Sequence, residues 1–350
     1  VLPDSQENQN LFLETLKQEY LQKAPLLQNK EVVSVYFGGG TPSLLSPEAI
    51  KNILSWISPL SPNCEITLEV NPEKLSLEKM QSFHKAGINR VSIGVQSFDD
   101  ELLKILGRTH DSDTAKQAIL TTLSAGITNI SIDLMYELPH QTMQKWKHSV
   151  EEAAKLPITH LSLYNLTFEP NTSFFAKQKS LSKHLPSSEE AHAMLEYATY
   201  TFPKNGLHRY EISAFTRNHQ SSVHNTGYWT ARPFLGLGPS AFSYFEHRRF
   251  RNISHLRKWR EKVLSYSPPE DFEEILDPIS RQKELLAVEL RLIQGVHLPS
   301  FIEKQGPLSS DLEQSIFTSI QEGYLCKKDD LLCLTDKGLL FYDTVASDLI

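Results

Sequence analysis

Glu69, Gln96 and Asp133 each stand at the C-terminal end of an apolar, β-branched run, and Arg108 follows the second of those runs after a short helical stretch. A further run, Val32–Phe37, ends in Gly38-Gly39-Gly40-Thr41-Pro42. Giving up adjacent side chains there bares backbone N–H and C=O groups to a bound molecule. Carboxylates and an amide suit hydroxyl and amino groups, and a guanidinium suits a carboxylate in a fork-to-fork pair. A ligand with an amino-acid part and a nucleoside part satisfies the whole set. Taken singly, each polar residue reads equally well as a loop anchor, and one glycine is enough for a tight turn. The convergence of the set on one end of a sheet is what points to a ligand.

The elements that must position these residues alternate. Strands are expected at Val32–Phe37, Glu65–Val70, Arg90–Gln96, Asn129–Met135 and His160–Leu166, with helices beginning near Ser46-Pro47, Ser76, Asp99, Asp113 and Thr142. Ser, Asp and Thr before a periodic run are N-cap signals, and Pro47 fits a first helical turn. Such alternation predicts a parallel sheet covered by helices. The stretches Ala86–Ile93 and Ala125–Ile132 echo each other, and Gly87 and Gly126 within them are expected to end helices. The fold class is therefore α/β, a partial parallel (β/α) TIM-like barrel whose strand C-termini share one mouth. A leading helix over Gln6–Lys23 presents Leu13, Leu16, Tyr20 and Leu21 as its apolar face.

Beyond Glu169 the pattern loosens into a polar, loop-rich stretch (Asn171–Ser188), a helix (Glu189–Thr201), a short strand around Arg209–Phe215 and an aromatic, His-rich segment to Arg249. Two helices (Ser280–Gln294 and Ser310–Gly323), a hairpin (Tyr324–Leu334) and a last helix from Thr335 follow. The expected division is 1–275, a partial barrel with added strands, and 276–350, a small winged-helix-like α+β domain. From Ile279 onward seven Lys/Arg face eleven Asp/Glu, which opposes phosphate contact and makes the tail a packing domain.

The whole chain has 350 residues, 40% hydrophobic and 22% charged, with a net charge of −7. This is a globular composition that disfavours nucleic acid as a partner. No apolar run approaches the ~20 residues of a membrane span, and no signal-peptide pattern opens the chain. The three cysteines, Cys64, Cys326 and Cys333, form neither a disulfide framework nor a ligand set. They read as small core hydrophobes in a reducing, cytoplasmic compartment.

Gly38-Gly39-Gly40-Thr41-Pro42-Ser43-Leu44-Leu45, Glu69-Val70-Asn71-Pro72, Ile93-Gly94-Val95-Gln96-Ser97-Phe98, Leu106-Gly107-Arg108-Thr109-His110 and Asp133-Leu134-Met135 occur in this order. With these motifs the chain resembles the radical S-adenosylmethionine family of oxygen-independent coproporphyrinogen III oxidases and their HemW heme-chaperone relatives, over nearly its whole length. The resemblance implies a radical-SAM-type partial barrel. It also implies that Gly39, Gly40 and Thr41 hold the methionyl amino group of S-adenosylmethionine, that Glu69, Gln96 and Asp133 contact the same molecule, and that Arg108 pairs with its carboxylate. His224-Asn225-Thr226-Gly227-Tyr228-Trp229 fits the HNxxYW pattern that looks like the HemW signature, in an expected binding loop shortly before Gly236-Leu237-Gly238. His is a good axial ligand for heme iron, and Tyr and Trp stack on a porphyrin. His224, Asn225, Tyr228 and Trp229 are the implied heme residues. His208 and His219 are rival ligands, and packing of a solvent-side loop is the plainer reading of the aromatics.

The resemblance thus implies a heme chaperone that binds heme and S-adenosylmethionine and transfers heme to an acceptor protein. The alternative is an oxygen-independent coproporphyrinogen III oxidase, which decarboxylates two propionates by radical chemistry. Relatives also carry a CxxxCxxC motif whose thiolates bind a [4Fe–4S] cluster, and nothing in this sequence matches it. Either the sequence is part of a longer chain or it is a cluster-free relative, and in both cases Val32–Phe37 is left as a sheet edge. Glu137 stands where relatives usually have Gly, which adds strain if that position needs positive φ. Phe242 stands where many have His, which removes a polar group from a porphyrin site.

Overall fold

A computed structural model describes residues 6–57, 59–73, 75–169 and 174–350. Strands β1 (Val32–Phe37), β2 (Leu60–Val70), β3 (Arg90–Gln96), β4 (Asn129–Tyr136), β5 (His160–Asn165), β6 (His208–Glu211) and β7 (Ala214–Thr216) form one sheet in the order β1-β2-β3-β4-β5-β7-β6. From β2 to β5 the pairing is parallel, and β7 and β6 add antiparallel strands beyond β5. Every residue of β3 except Gly94 is buried, as a parallel strand covered on both faces demands. β1 ends the strand order, and all its residues are half-buried.

The helices start where the capping chemistry predicts. Ser76, Asp99 and Thr142 each accept a backbone N–H from the first turn. The cap near Asp113 is Asp111, two residues earlier, because its carboxylate accepts the Thr114 N–H. Gly87 (φ 115°) and Gly126 (φ 94°) turn the chain out of their helices in the left-handed region. Each βα unit thereby returns the chain to the sheet with its strand C-terminus at the same end.

The expected single strand over Arg209–Phe215 is a hairpin, β6 and β7, because the Arg209 guanidinium folds back onto the Ile212 carbonyl and closes a turn. Of the expected loop Asn171–Ser188, residues 171–173 lie outside the described residues, and the remainder carries short helical turns between Phe175 and His184. The segment to Arg249 contains the helix Val223–Trp229 and two strands, β8 (Phe242–Phe245) and β9 (Arg248–Asn252), which with β10 (Glu270–Ile275) make an antiparallel sheet.

The described chain groups into two compact units: residues 33–55 with 62–222, and residues 6–32 and 56–61 with 223–350. The first unit holds the body of the parallel sheet. In the second, the tail places helices Pro278–Glu289 and Ser310–Gln321 against the hairpin β12 (Leu325–Lys328) and β13 (Leu331–Leu334). Two tail elements escape the sequence pattern: the two-residue strand β11 (Val296–His297), which pairs with β13, and the helix Leu298–Gln305. Leu286, Leu290, Phe301, Leu312, Leu332 and Val345 form the apolar centre of this region.

The leading helix spans Gln6–Lys23 as expected, but its buried face differs from the apolar one. Leu16 and Tyr20 are buried with Thr15, Glu19 and Lys23, whereas Leu21 is 52% exposed. The buried polar residues find partners within the second unit. Glu19 accepts from Lys23 (2.8 Å), the Asn252 amide (2.6 Å), the Gly238 N–H (2.7 Å) and the Trp259 indole (3.2 Å). Lys23 also donates to the Gly236 carbonyl at 3.3 Å.

Candidate functional site

The glycine turn after β1 is built around Glu69. The Tyr36 phenol donates to one carboxylate oxygen (2.7 Å) and the Gly39 N–H to the other (3.1 Å). A Cβ on Gly38 would sit 2.6 Å from the Tyr36 ring and 3.2 Å from the carboxylate, so only glycine admits this arrangement. Gly39 (φ 72°) and Gly40 (φ 54°) are left-handed, and no atom lies within 4 Å of where their Cβ atoms would be. Backbone conformation, not crowding, requires glycine at these two positions. The Gly39 N–H is engaged by Glu69, which leaves the carbonyl groups of the turn as the acceptors an ammonium needs.

Gly38→Ala is expected to push the Tyr36 ring off Glu69 and to cost about 1–3 kcal/mol, the usual penalty of overpacking. Urea unfolding of the variant checks this, and an unchanged midpoint would show that the ring is free to move aside.

Asp133 lies on β4 in register with Ser162 of β5. Burial and the nearby Glu69 carboxylate push its carboxyl up to about 7, against the opposing pull of Arg90, the Ser162 hydroxyl and Arg108. Burial and Glu69 likewise raise the Tyr36 phenol far above its ordinary range, so it acts as a neutral donor. Gln96 sits at φ 66° in a tight turn closed by Ser97 N–H to Val95 C=O at 2.8 Å. Its amide lies 3.0 Å from where a Gly94 Cβ would be. Arg108, half-buried, follows a left-handed Gly107 (φ 73°), and its charge reaches Asp133.

Glu69, Asp133 and Arg108 are thus coupled at one end of the sheet, and Gln96 pairs in register with Leu134, the neighbour of Asp133. Thr41 continues the glycine turn, where its carbonyl accepts the Leu44 N–H at 3.1 Å. The arrangement presents carboxylates, an amide and a guanidinium to a polar, partly cationic ligand.

Sequence reasoning passed over Tyr36, Arg90 and Ser162. Arg90 is 2% exposed, with its Nε 3.7 Å from Glu65, and its positive charge favours the ionised forms of Tyr36 and Asp133. The available signal was an arginine opening an otherwise apolar strand. Deeper in the same unit His160 is fully buried between the Ser131 hydroxyl (2.8 Å) and the Tyr210 phenol (3.0 Å). Burial, and then Arg90, lower its pKa well below the usual value, so it is neutral.

The second set of sequence-predicted residues lies in the second unit. His224, Asn225, Tyr228 and Trp229 are on a helix, Val223–Trp229, not on the expected loop. Helical spacing brings His224 and Tyr228 together: ring nitrogen Nε2 and the phenol oxygen are 2.8 Å apart. Tyr228 packs edge-on against Phe234, and the Arg291 guanidinium lies 4.2 Å over the Trp229 ring. The Arg232 guanidinium crosses the helix beside Gly227, close to where a Cβ would be, to reach the Val223 carbonyl. The Trp229 indole N–H is buried with no hydrogen-bond partner among the described residues.

Residues 7–153 match the Radical SAM superfamily model. The "Heme chaperone HemW" of Bacillus subtilis is 32% identical over 340 residues, covering 95% of this chain and 89% of that protein. The chain belongs to the HemW family. Similarity extends to the mitochondrial "Radical S-adenosyl methionine domain-containing protein 1" of Danio rerio, 38% identical over 83% of this chain and 68% of that protein. The solved coproporphyrinogen III oxidase HemN of Escherichia coli shares the fold, with a TM-score of 0.84 over 97% of this chain and 82% of that one at 21% identity.

Membership of this radical SAM family implies S-adenosylmethionine and a [4Fe–4S] cluster. The glycine turn left open by Gly39 and Gly40, with carboxylates and Arg108 beside it, fits the first. The cysteines do not fit the second. Cys64 is buried in β2 with its thiol turned to the Glu65 carbonyl, and Cys326 and Cys333 face each other across the β12–β13 hairpin. Among the described residues no three His, Cys, Asp or Glu side chains converge as a metal site, and no helix is long and apolar enough to cross a membrane. Glu137 of this HemW-family chain adopts φ 62°, in the left-handed region that favours glycine.

Proposed function

We propose that this protein is a cytoplasmic heme chaperone, which binds heme as cargo, holds S-adenosylmethionine at the mouth of the parallel sheet, and passes heme to an acceptor protein. The observation that carries this reading is the His224–Tyr228–Trp229 helix in a chain so similar to HemW. Imidazole is an axial ligand for heme iron, and the adjoining aromatic rings supply porphyrin-stacking surface. The Tyr228 phenol, 2.8 Å from His224 Nε2, orients the ring and must release that nitrogen before it can ligate iron.

At the mouth, carbonyls of the Gly39-Gly40-Thr41 turn would hold the methionyl ammonium, Glu69, Gln96 and Asp133 would meet the amino and hydroxyl groups, and Arg108 would pair with the carboxylate. When bound with a cluster, S-adenosylmethionine supplies reductive cleavage chemistry. The residues of this chain bind and orient it. The likeness to HemN is one of fold and does not favour oxidase activity.

Titration of the purified protein with hemin tests the chaperone reading. A Soret shift is expected in the wild type, and His224→Ala is expected to weaken hemin binding by about 10–100-fold, the range for losing a group that governs metal affinity. His208→Ala and His219→Ala are expected to leave it unchanged. No Soret shift in the wild type, or an unaltered one in His224→Ala, would overturn the assignment.

A further inference from the structure

His110 closes the Leu106-Gly107-Arg108-Thr109-His110 turn and is 5% exposed. Its Nδ1 lies 3.3 Å from a Glu73 carboxylate oxygen, and its Nε2 lies 3.1 Å from the Val95 carbonyl. A backbone carbonyl has no proton to give, and the same Glu73 oxygen already accepts the Thr109 hydroxyl at 2.6 Å. Burial acts to raise the Glu73 pKa, but the Thr109 hydroxyl, its own backbone and His110 together hold it below the usual carboxylate value. Both ring nitrogens therefore face acceptors, and the ring bridges the Glu73 carboxylate and the Val95 carbonyl. Asp111 in the same turn adds a second negative group near the ring.

The consequence is a latch between loops that follow different strands. Glu73 belongs to the segment after β2, Val95 to the end of β3, and Arg108 to the turn that His110 closes. Gln96 has a further tether besides the Val95 carbonyl that the Ser97 N–H shares with His110, since Gln96 keeps its register with Leu134. Arg108 follows the flexible left-handed Gly107, and on its other side the chain is held through Thr109 and His110.

We propose that His110, pinned between Glu73 and Val95, is the positioning residue that aims Arg108 at the carboxylate of the bound ligand. This rests on the reading of the mouth as an S-adenosylmethionine site. Arg108 meets the ligand, and His110 acts only through Arg108. Loss of the latch must therefore be felt by ligands that carry the carboxylate and not by ligands that lack it.

Calorimetric titration of the full chain with S-adenosylmethionine and with 5′-methylthioadenosine separates these cases. His110→Phe and Arg108→Ala are each expected to weaken S-adenosylmethionine by about tenfold, the scale of losing one aligned charge-assisted contact. Both are expected to leave methylthioadenosine unchanged. Glu73→Gln is expected to show the same selectivity with a smaller loss, and His110→Gln, which keeps one donor, to recover part of it. Equal weakening of both ligands in His110→Phe would make the residue merely structural and overturn the proposal. So would an unchanged His110→Phe beside a weakened Arg108→Ala. No binding of either ligand by the wild type would instead overturn the reading of the mouth itself.

Discussion

Glu19→Ala is expected to destabilise the second unit by about 3–5 kcal/mol, the cost of breaking a buried ion pair from one side. The carboxylate accepts four donors from four residues, and its removal takes the Glu19 acceptor from each of them. Lys23 suffers most, because its ammonium is buried with its helix and keeps only weaker contacts to the Gly236 carbonyl (3.3 Å), the Asn252 amide oxygen (3.4 Å) and the Phe250 ring. A typical domain has about 5–15 kcal/mol in all, so this loss removes a large share. Urea unfolding followed by the fluorescence of Trp259, which donates to Glu19, reads it directly. Replacing Glu19 and Lys23 together by leucine is expected to recover only part of the loss, since the Gly238 N–H and the Trp259 indole N–H still lose the Glu19 acceptor. A Glu19→Ala variant within about 1 kcal/mol of wild type would show that the network contributes as a surface pair does.

That network also marks where the sequence stops being legible. Caps and strand ends are written locally: Ser76, Asp99 and Thr142 announce their helices, and the period of the apolar residues puts Glu69 and Gln96 at or next to their strand ends, while Asp133 lies three residues inside its own. Parallel topology then delivers all three to one mouth. What stays hidden depends on partners far along the chain. The polar Glu19 and Lys23 read as a solvated helix face until Asn252 and Gly238 are brought to them. Arg90 reads as a strand-opening charge until Glu65 and Asp133 surround it. The HNxxYW residues, just before Gly236-Leu237-Gly238, suggest a binding loop, yet they fold as a helix crossed by the Arg232 guanidinium, a partner from outside the motif. His110 is similar: its motif is visible, but its two acceptors come from separate strand ends.

Asp133→Asn is expected to stabilise the protein at pH 8 and to leave it unchanged near pH 4. Burial and the Glu69 carboxylate lift the Asp133 carboxyl from its ordinary 3.8 to about 7 in the folded chain. A carboxyl whose folded value is raised binds its proton more tightly in the folded state. Stability linked to it is therefore highest below about pH 4, falls as pH rises between the unfolded and folded values, and stays low above about 7. Asparagine carries no charge at any pH and escapes that penalty. Because Asp133 retains some solvent contact, the gain at pH 8 is expected to be about 1–2 kcal/mol rather than the full linkage energy. For a chain this size that raises Tm by only a few degrees, ~2–6 °C. Thermal melts of both proteins across pH 4–9 check the difference, and parallel curves would refute the strained carboxyl. The same charge serves binding in the opposite sense. In the proposed site, two carboxylates, Glu69 and Asp133, would meet a ligand carrying a sulfonium and an ammonium above about pH 7, so wild-type affinity for S-adenosylmethionine is expected to rise through that pH. In Asp133→Asn that rise is expected to disappear. A mouth that strains the apo protein and binds a cation better for it is what a binding site held at the expense of stability looks like.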